Sequence, residues 1–161
     1  MKIGLVGVRD ARLARRLASA GVRVFACGAA DLLGDARIVL LPNAVTVAQS
    51  LPAPRVVWLD LADGFATELA IQDVWPECAP GDVVVDAGAA TPDDAKRRAA
   101  SLASAQLHFV DCHVHSDGLL SFGGTDDAMR LVAPYADLVG QWTHRGPCGS
   151  GYHARLGSSK A

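Results

Sequence analysis

The chain has 161 residues, with 15 Lys plus Arg against 17 Asp plus Glu, a formal net charge of −2 and a hydrophobic share of 50%. That is the size of one domain with a substantial core. The balanced charge and the lack of any Lys/Arg run exclude a basic footprint for nucleic acid. No apolar stretch reaches the roughly 18 residues that a membrane span needs. Met1–Gly7 runs straight into a strand pattern without the layout of a signal peptide. Cys27, Cys78, Cys112 and Cys148 lie far apart with no CxxC spacing, so they read as reduced thiols of a cytoplasmic protein.

In chain order, Ile3–Val8 is a short apolar run, followed by helix formers over Ala11–Ala20. Val22–Cys27, Arg37–Leu41, Val56–Asp60, Asp82–Asp86 and Leu107–Cys112 read as further strands. Their Val, Ile and Leu do not alternate with polar residues, which suits strands buried on both faces. Ala44–Leu51, Phe65–Trp75 and Pro92–Ala105 read as helices between them. Thr91-Pro92-Asp93-Asp94 supplies an N-cap, a first-turn proline and two acids, and Thr125-Asp126-Asp127 repeats the cap and acid pattern. After it, Ala128, Leu131, Val132 and Tyr135 share one helical face, with Pro134 expected to kink the helix. Gln141–Arg145 reads as a last strand. The expected architecture is a single Rossmann-like domain over residues 1–145. It is α/β and doubly wound, with a mainly parallel sheet and helices on both faces. Residues 146–161 read as a flexible Gly/Ser-rich tail.

A first strand that turns tightly through glycine into a helix is where such a fold binds pyrophosphate, because the helix N-terminus offers N–H groups and a positive dipole end. Here the turn reads Gly7-Val8-Arg9-Asp10-Ala11-Arg12 and keeps only the first glycine of GxGxxG. Asp10 stands at the helix cap, so its carboxylate is expected to sit where a phosphate would, with Arg9 partly offsetting it. The second strand ends at Cys27-Gly28, without an acid for a ribose hydroxyl. Gly7, Arg9, Asp10 and Arg12 are thus a degenerate cofactor-binding set.

The ordered stretches Lys2–Gly7, Ala14–Leu17, Arg55–Leu59, Pro80–Asp86, Arg97–Ala99, His108–Asp111, Gly123–Asp126 and Gly146–Gly151 carry a resemblance. The chain is similar to the N-terminal domain of 6-phosphogluconate dehydrogenase and the related β-hydroxyacid dehydrogenases. The resemblance implies an NADP-binding scaffold followed by a large helical domain. It also implies a Gly-Asn-Ser type turn where this chain has Gly88-Ala89-Ala90. The family's Ser-Gly-Gly substrate loop falls at His115-Ser116-Asp117. Its lysine falls at Arg155 and its asparagine within Gly157–Ser159. An arginine stays protonated and cannot serve as the base that a lysine can.

The run Asp111-Cys112-His113-Val114-His115-Ser116-Asp117 is the most distinctive local feature. In an extended strand, Asp111, His113, His115 and Asp117 project on one face. The histidines read as idle groups at a strand end, or as general acid/base groups oriented by Asp117 or Asp111, or as metal ligands with Asp117, Cys148 or His153. Tyr152-His153 approaches the same cleft, and Asp60 and Asp63 follow the fourth strand.

These features point to a repurposed small enzyme of bacterial secondary metabolism. Its expected chemistry is cofactor-independent acid/base work, such as isomerisation, cyclisation or dehydration, on a small organic molecule. His113, His115, Asp117 and Arg155 are its candidate catalytic groups, and no metal is expected. The first alternative is an NADP-dependent oxidoreductase acting with a partner chain or as a homodimer. The second is a non-catalytic binding protein. Self-association is expected under all three, through apolar surface that the family's helical domain would cover.

Overall fold

A computed structural model describes the backbone of residues 1–157 and the side chains of residues 1–154. Its strands are β1 (Lys2–Val6), β2 (Arg23–Cys27), β3 (Ile38–Leu40), β4 (Val56–Leu59), β5 (Val83–Asp86), β6 (His108–Val114), β7 (Leu120–Gly123) and β8 (Trp142–Gly146). They form one sheet in the order β3-β2-β1-β4-β5-β6-β7-β8. All neighbours are parallel except the β6–β7 hairpin. The helices are α1 (Ala11–Ser19), α2 (Ala44–Gln49), α3 (Gly64–Val74), α4 (Pro92–Ala103), α5 (Asp126–Val139) and α6 (Ser150–Gly157).

The physical reason for the layering is that β4 and β5 are apolar on both faces. Val56, Trp58, Val83 and Val85 join a core with α1 and α5, while Val57, Leu59 and Val84 join one with α2, α3, α4 and α6. Helix starts follow their sequence signals. Thr91 and Asp94 form a reciprocal capping box on α4, and Asp63 and Thr125 cap α3 and α5. Pro134 lies inside α5, which runs unbroken from Asp126 to Val139.

Two elements depart from the sequence expectation. β7 turns the chain back on β6 as an antiparallel strand. Of the stretch expected as a loose tail, Gly146 closes β8 and Ser150–Gly157 forms α6, anchored by Tyr152, which is 1% exposed, while residues 158–161 lie outside the described residues. The reason lies 38 residues upstream: the buried Asp111 carboxylate on β6 accepts the backbone N–H groups of Gly149 at 2.6 Å and Tyr152 at 2.7 Å.

Candidate functional site

The site forms at the carboxyl ends of β1, β4 and β5, where the strand order switches direction. Gly7 leaves β1 at φ +65°, a conformation that a side chain strains, and a Cβ there would meet Leu61 and lie 3.2 Å from the Asp60 carbonyl oxygen. Gly7 and Val8 donate their N–H groups to the carbonyls of Cys27 and Gly28, which pins the turn to the end of β2. Arg9 crosses the strand ends. Its backbone N–H and Nε donate to the Asp60 carboxylate at 3.0 and 2.7 Å, and its Nη2 donates to the carbonyl of Ala87 at 3.0 Å.

Asp10 caps α1 as expected, accepting the Arg12 N–H at 2.9 Å. Its carboxylate is also held by the Arg12 guanidinium at 2.7 Å, and both side chains are largely exposed. The hydrogen bonds from Arg12 hold the Asp10 carboxyl below its ordinary value, so it is ionised at neutral pH. Over this floor opens a cleft of about 380 Å³, whose lining includes Asp10, Arg12, Arg16, Asp60, His115 and Asp117.

The histidine run folds differently from a flat row of four groups. The His113 and His115 rings stack edge to face, 4.4 Å apart. His115 Nε2 pairs with the buried Ser121 hydroxyl at 2.8 Å, and Arg145 Nε reaches the same hydroxyl at 3.4 Å. Asp117 sits in the hairpin turn and accepts the Leu119 N–H at 3.0 Å, while Asp111 is taken by α6. Each carboxylate expected to orient a histidine thus has a backbone partner, and Ser121 orients His115. Arg155 lies in α6, with its side chain outside the described residues. No group of three His, Cys, Asp or Glu side chains placed to hold a metal occurs among the described residues. No helix among them is long and apolar enough to cross a membrane. Burial pushes the Cys112 thiol well up and the Cys148 thiol up to about 12, which removes both as neutral-pH nucleophiles.

Sequence reasoning missed the support under the β5 end. Asp86 and Arg98, 0% and 3% exposed at their side chains, pair at 2.8 Å. Arg98 Nε also donates to Glu68, and Asp86 accepts the Gly88 N–H at 2.9 Å. Burial pushes the Asp86 carboxyl up, against the pull of the Gly88 N–H and of Arg98. The Arg97-Arg98 pair in the sequence was the one available signal.

A family model described as the NAD binding domain of 6-phosphogluconate dehydrogenase matches residues 2–141. The chain belongs to this family. The NADP(+)-dependent, decarboxylating 6-phosphogluconate dehydrogenase of Bacillus subtilis (strain 168) is 30% identical over 122 residues, 67% of this chain and 26% of that enzyme. Among solved structures, Mycobacterium tuberculosis 3-hydroxyisobutyrate dehydrogenase with L-serine superposes at a TM-score of 0.81 with 23% identity, covering 98% of this chain and 58% of that one. The imine reductase from Myxococcus stipitatus in complex with NADP+ does so at 0.84 with 11% identity, covering 98% and 59%. The chain thus spans about a quarter of the length of the curated relatives it matches. These findings correct two expectations. The family is an NAD-binding one, so neither cofactor-independent isomerase-type chemistry nor the expected lack of a cofactor stands. The misreading came from weighing one carboxylate at the turn above the ordered pattern of the whole domain.

Proposed function

We propose that this domain holds a nicotinamide dinucleotide for an NAD(P)-dependent dehydrogenase or reductase. The observation that carries the reading is the β1–Gly7–α1 turn at the point between β1 and β4 where the sheet reverses its strand order. Gly7 keeps the close backbone approach, and the first N–H groups of α1 supply the positive end of a helix. The residues fit the diphosphate with one exchange: Asp10 must give up the Arg12 N–H and the Arg12 guanidinium. That contact is exposed and local, so the exchange is cheap. Arg12 and the α1 N-terminus would then hold the diphosphate. Asp60, fixed by Arg9, and Ala87 would border the ring-bearing half. The bound dinucleotide supplies hydride transfer, and the chain's own groups bind and orient it.

The remaining three quarters of the curated relatives have no counterpart in these residues, so substrate and partner stay within the proposal. The substrate is a small organic molecule brought into the 380 Å³ cleft beside His115. A partner segment or a second copy of the chain closes that cleft. Calorimetric titration with NADPH and NADH tests the reading. Micromolar binding of either, weakened at least tenfold in Arg12→Glu, is the expected outcome. No heat up to about 1 mM ligand, equivalent to less than about 4 kcal/mol of binding, would refute it.

A further inference from the structure

The end of β5 is gripped from two sides by side chains that lie far apart in the chain. On one side, the Tyr152 hydroxyl of α6 donates to the carbonyl of Asp86 at 2.7 Å. On the other, Arg9 Nη2 of the β1–α1 turn donates to the carbonyl of Ala87 at 3.0 Å. The two acceptors are neighbours, the last residue of β5 and the first beyond it. Ala87 lines the cleft over the dinucleotide turn, whereas Tyr152 is buried in the core.

The Tyr152 hydroxyl is not what seats α6. Asp111 already takes the N–H groups of Gly149 and Tyr152, and the tyrosine belongs to the same apolar core as Leu59, Val84 and Phe109. Burial and the nearby Asp86 carboxylate push the phenol well up, so it stays protonated and donates at neutral pH. The β5 end has little slack of its own. The Asp86 carboxylate accepts the Gly88 N–H at 2.9 Å, and the Ala87 N–H bonds the Leu59 carbonyl at 2.8 Å. A Cβ on Gly88 would lie 2.8 Å from the Leu61 carbonyl oxygen. A shift at Asp86 is therefore passed on to Ala87 rather than absorbed between them. Arg9 carries it further, because its backbone N–H and Nε are committed to Asp60. We propose that Tyr152 is a positioning residue that couples the seating of α6 to the ring-bearing half of the dinucleotide site, through Asp86, Ala87 and Arg9. The proposal rests on the dinucleotide reading above. By reciprocity, a bound nicotinamide ring holds α6 more firmly, and a partner that draws on α6 changes the hold on the ring. The other half of the dinucleotide, toward β2 in the strand order, is outside the link.

Tyr152→Phe removes only the hydroxyl, and a retained amide spectrum shows that the variant is folded. Without ligand, it should move the amide signals of Ala87 and Gly88 and the Nε–H signal of Arg9. Shifts confined to residues 149–154 overturn the link, whether or not a dinucleotide binds. In calorimetry, Tyr152→Phe should weaken NADPH about three- to tenfold, the range set by one hydrogen bond, and leave ADP-ribose 2′-phosphate, which has no nicotinamide, within about twofold. Unchanged NADPH affinity, or equal weakening of both probes, overturns the positioning role. In an Arg9→Gln background, Tyr152→Phe should cost NADPH less than about twofold, and the full loss there overturns the route through Arg9. NADPH failing to bind the wild-type chain, while the ligand-free shifts reach Arg9, refutes the dinucleotide reading and not the link.

Discussion

Replacing Asp10 by serine isolates the one group that opposes a diphosphate at the α1 turn. Serine keeps an oxygen able to cap the Arg12 N–H, so helix stability should change by less than the roughly 1 kcal/mol that a lost cap costs. The charge is what disappears. Two like charges about 4 Å apart repel by about 1 kcal/mol in water-like surroundings and by more as the ligand displaces water. The exposure of Asp10 places the turn near the water-like limit. The substitution also frees Arg12 from its present partner. Asp10→Ser should therefore tighten NADPH about five- to tenfold at low salt, and the gain should shrink at high salt as screening grows. Calorimetry at two salt concentrations measures both effects. An unchanged or weaker affinity in Asp10→Ser would show that the carboxylate does not stand in the diphosphate's place.

Three further substitutions test the frame. Asp111→Asn leaves one buried N–H of Gly149 or Tyr152 facing an amide group, at a cost of about 1–3 kcal/mol, and hydrogen exchange should rise first in α6; unchanged α6 protection refutes the capping role. Burial raises the Asp111 carboxyl in the folded chain above its ordinary 3.8, so its favourable contribution is complete below that value and lost as pH rises through the folded pKa. Wild type should accordingly lose its advantage over Asp111→Asn as pH rises from about 3, and denaturant titrations across that range check the sign. Arg98→Met strands the buried Asp86 charge and should cost about 3–5 kcal/mol, with Asp86→Asn in the same chain recovering part of it; a loss under about 1 kcal/mol for the single change would contradict the pairing. Gly7→Ala forces a side chain to φ +65° against Leu61 and should lower the melting temperature by several degrees, at about 2–4 °C per kcal/mol for a domain of this size; an unchanged melting point would mean that the turn does not hold this left-handed conformation.

What the sequence discloses follows the range of each interaction. β4 and β5 are legible because runs of four and three buried apolar residues need no partner to be identified. The caps at Asp10, Thr91 and Thr125 are legible because donor and acceptor lie two or three residues apart. β7 is not, since Leu120–Gly123 is a short run broken by serine and glycine whose strand character depends on lying beside β6. α6 is not, because its capping acid is 38 residues away and the local Gly-Pro-Cys-Gly reads as a breaker. Asp117 misleads for a related reason. Alternation places it with the histidines only while the strand stays extended, and the chain turns at Ser116. The Ser121 hydroxyl that orients His115 lies on the returning strand, where no local pattern marks it.

The carboxylates Asp60, Asp111 and Asp10 differ in what holds them, and that difference decides which one can yield. Asp60 is only 15% exposed at its side chain and takes two N–H groups from Arg9, whose Nη2 is itself committed to Ala87. Displacing it would release the strap across β4 and β5 as well. Asp111 is buried, and displacing it would uncap α6. Asp10 alone of these is solvent-exposed and bound only to a residue two positions away, so water can replace its contacts with no change elsewhere in the fold. A ligand phosphate entering the turn therefore competes with Asp10 and leaves Asp60 and Asp111 in place. The carboxylate that made the turn look closed in sequence is, in three dimensions, held only by exposed contacts with Arg12, two residues away.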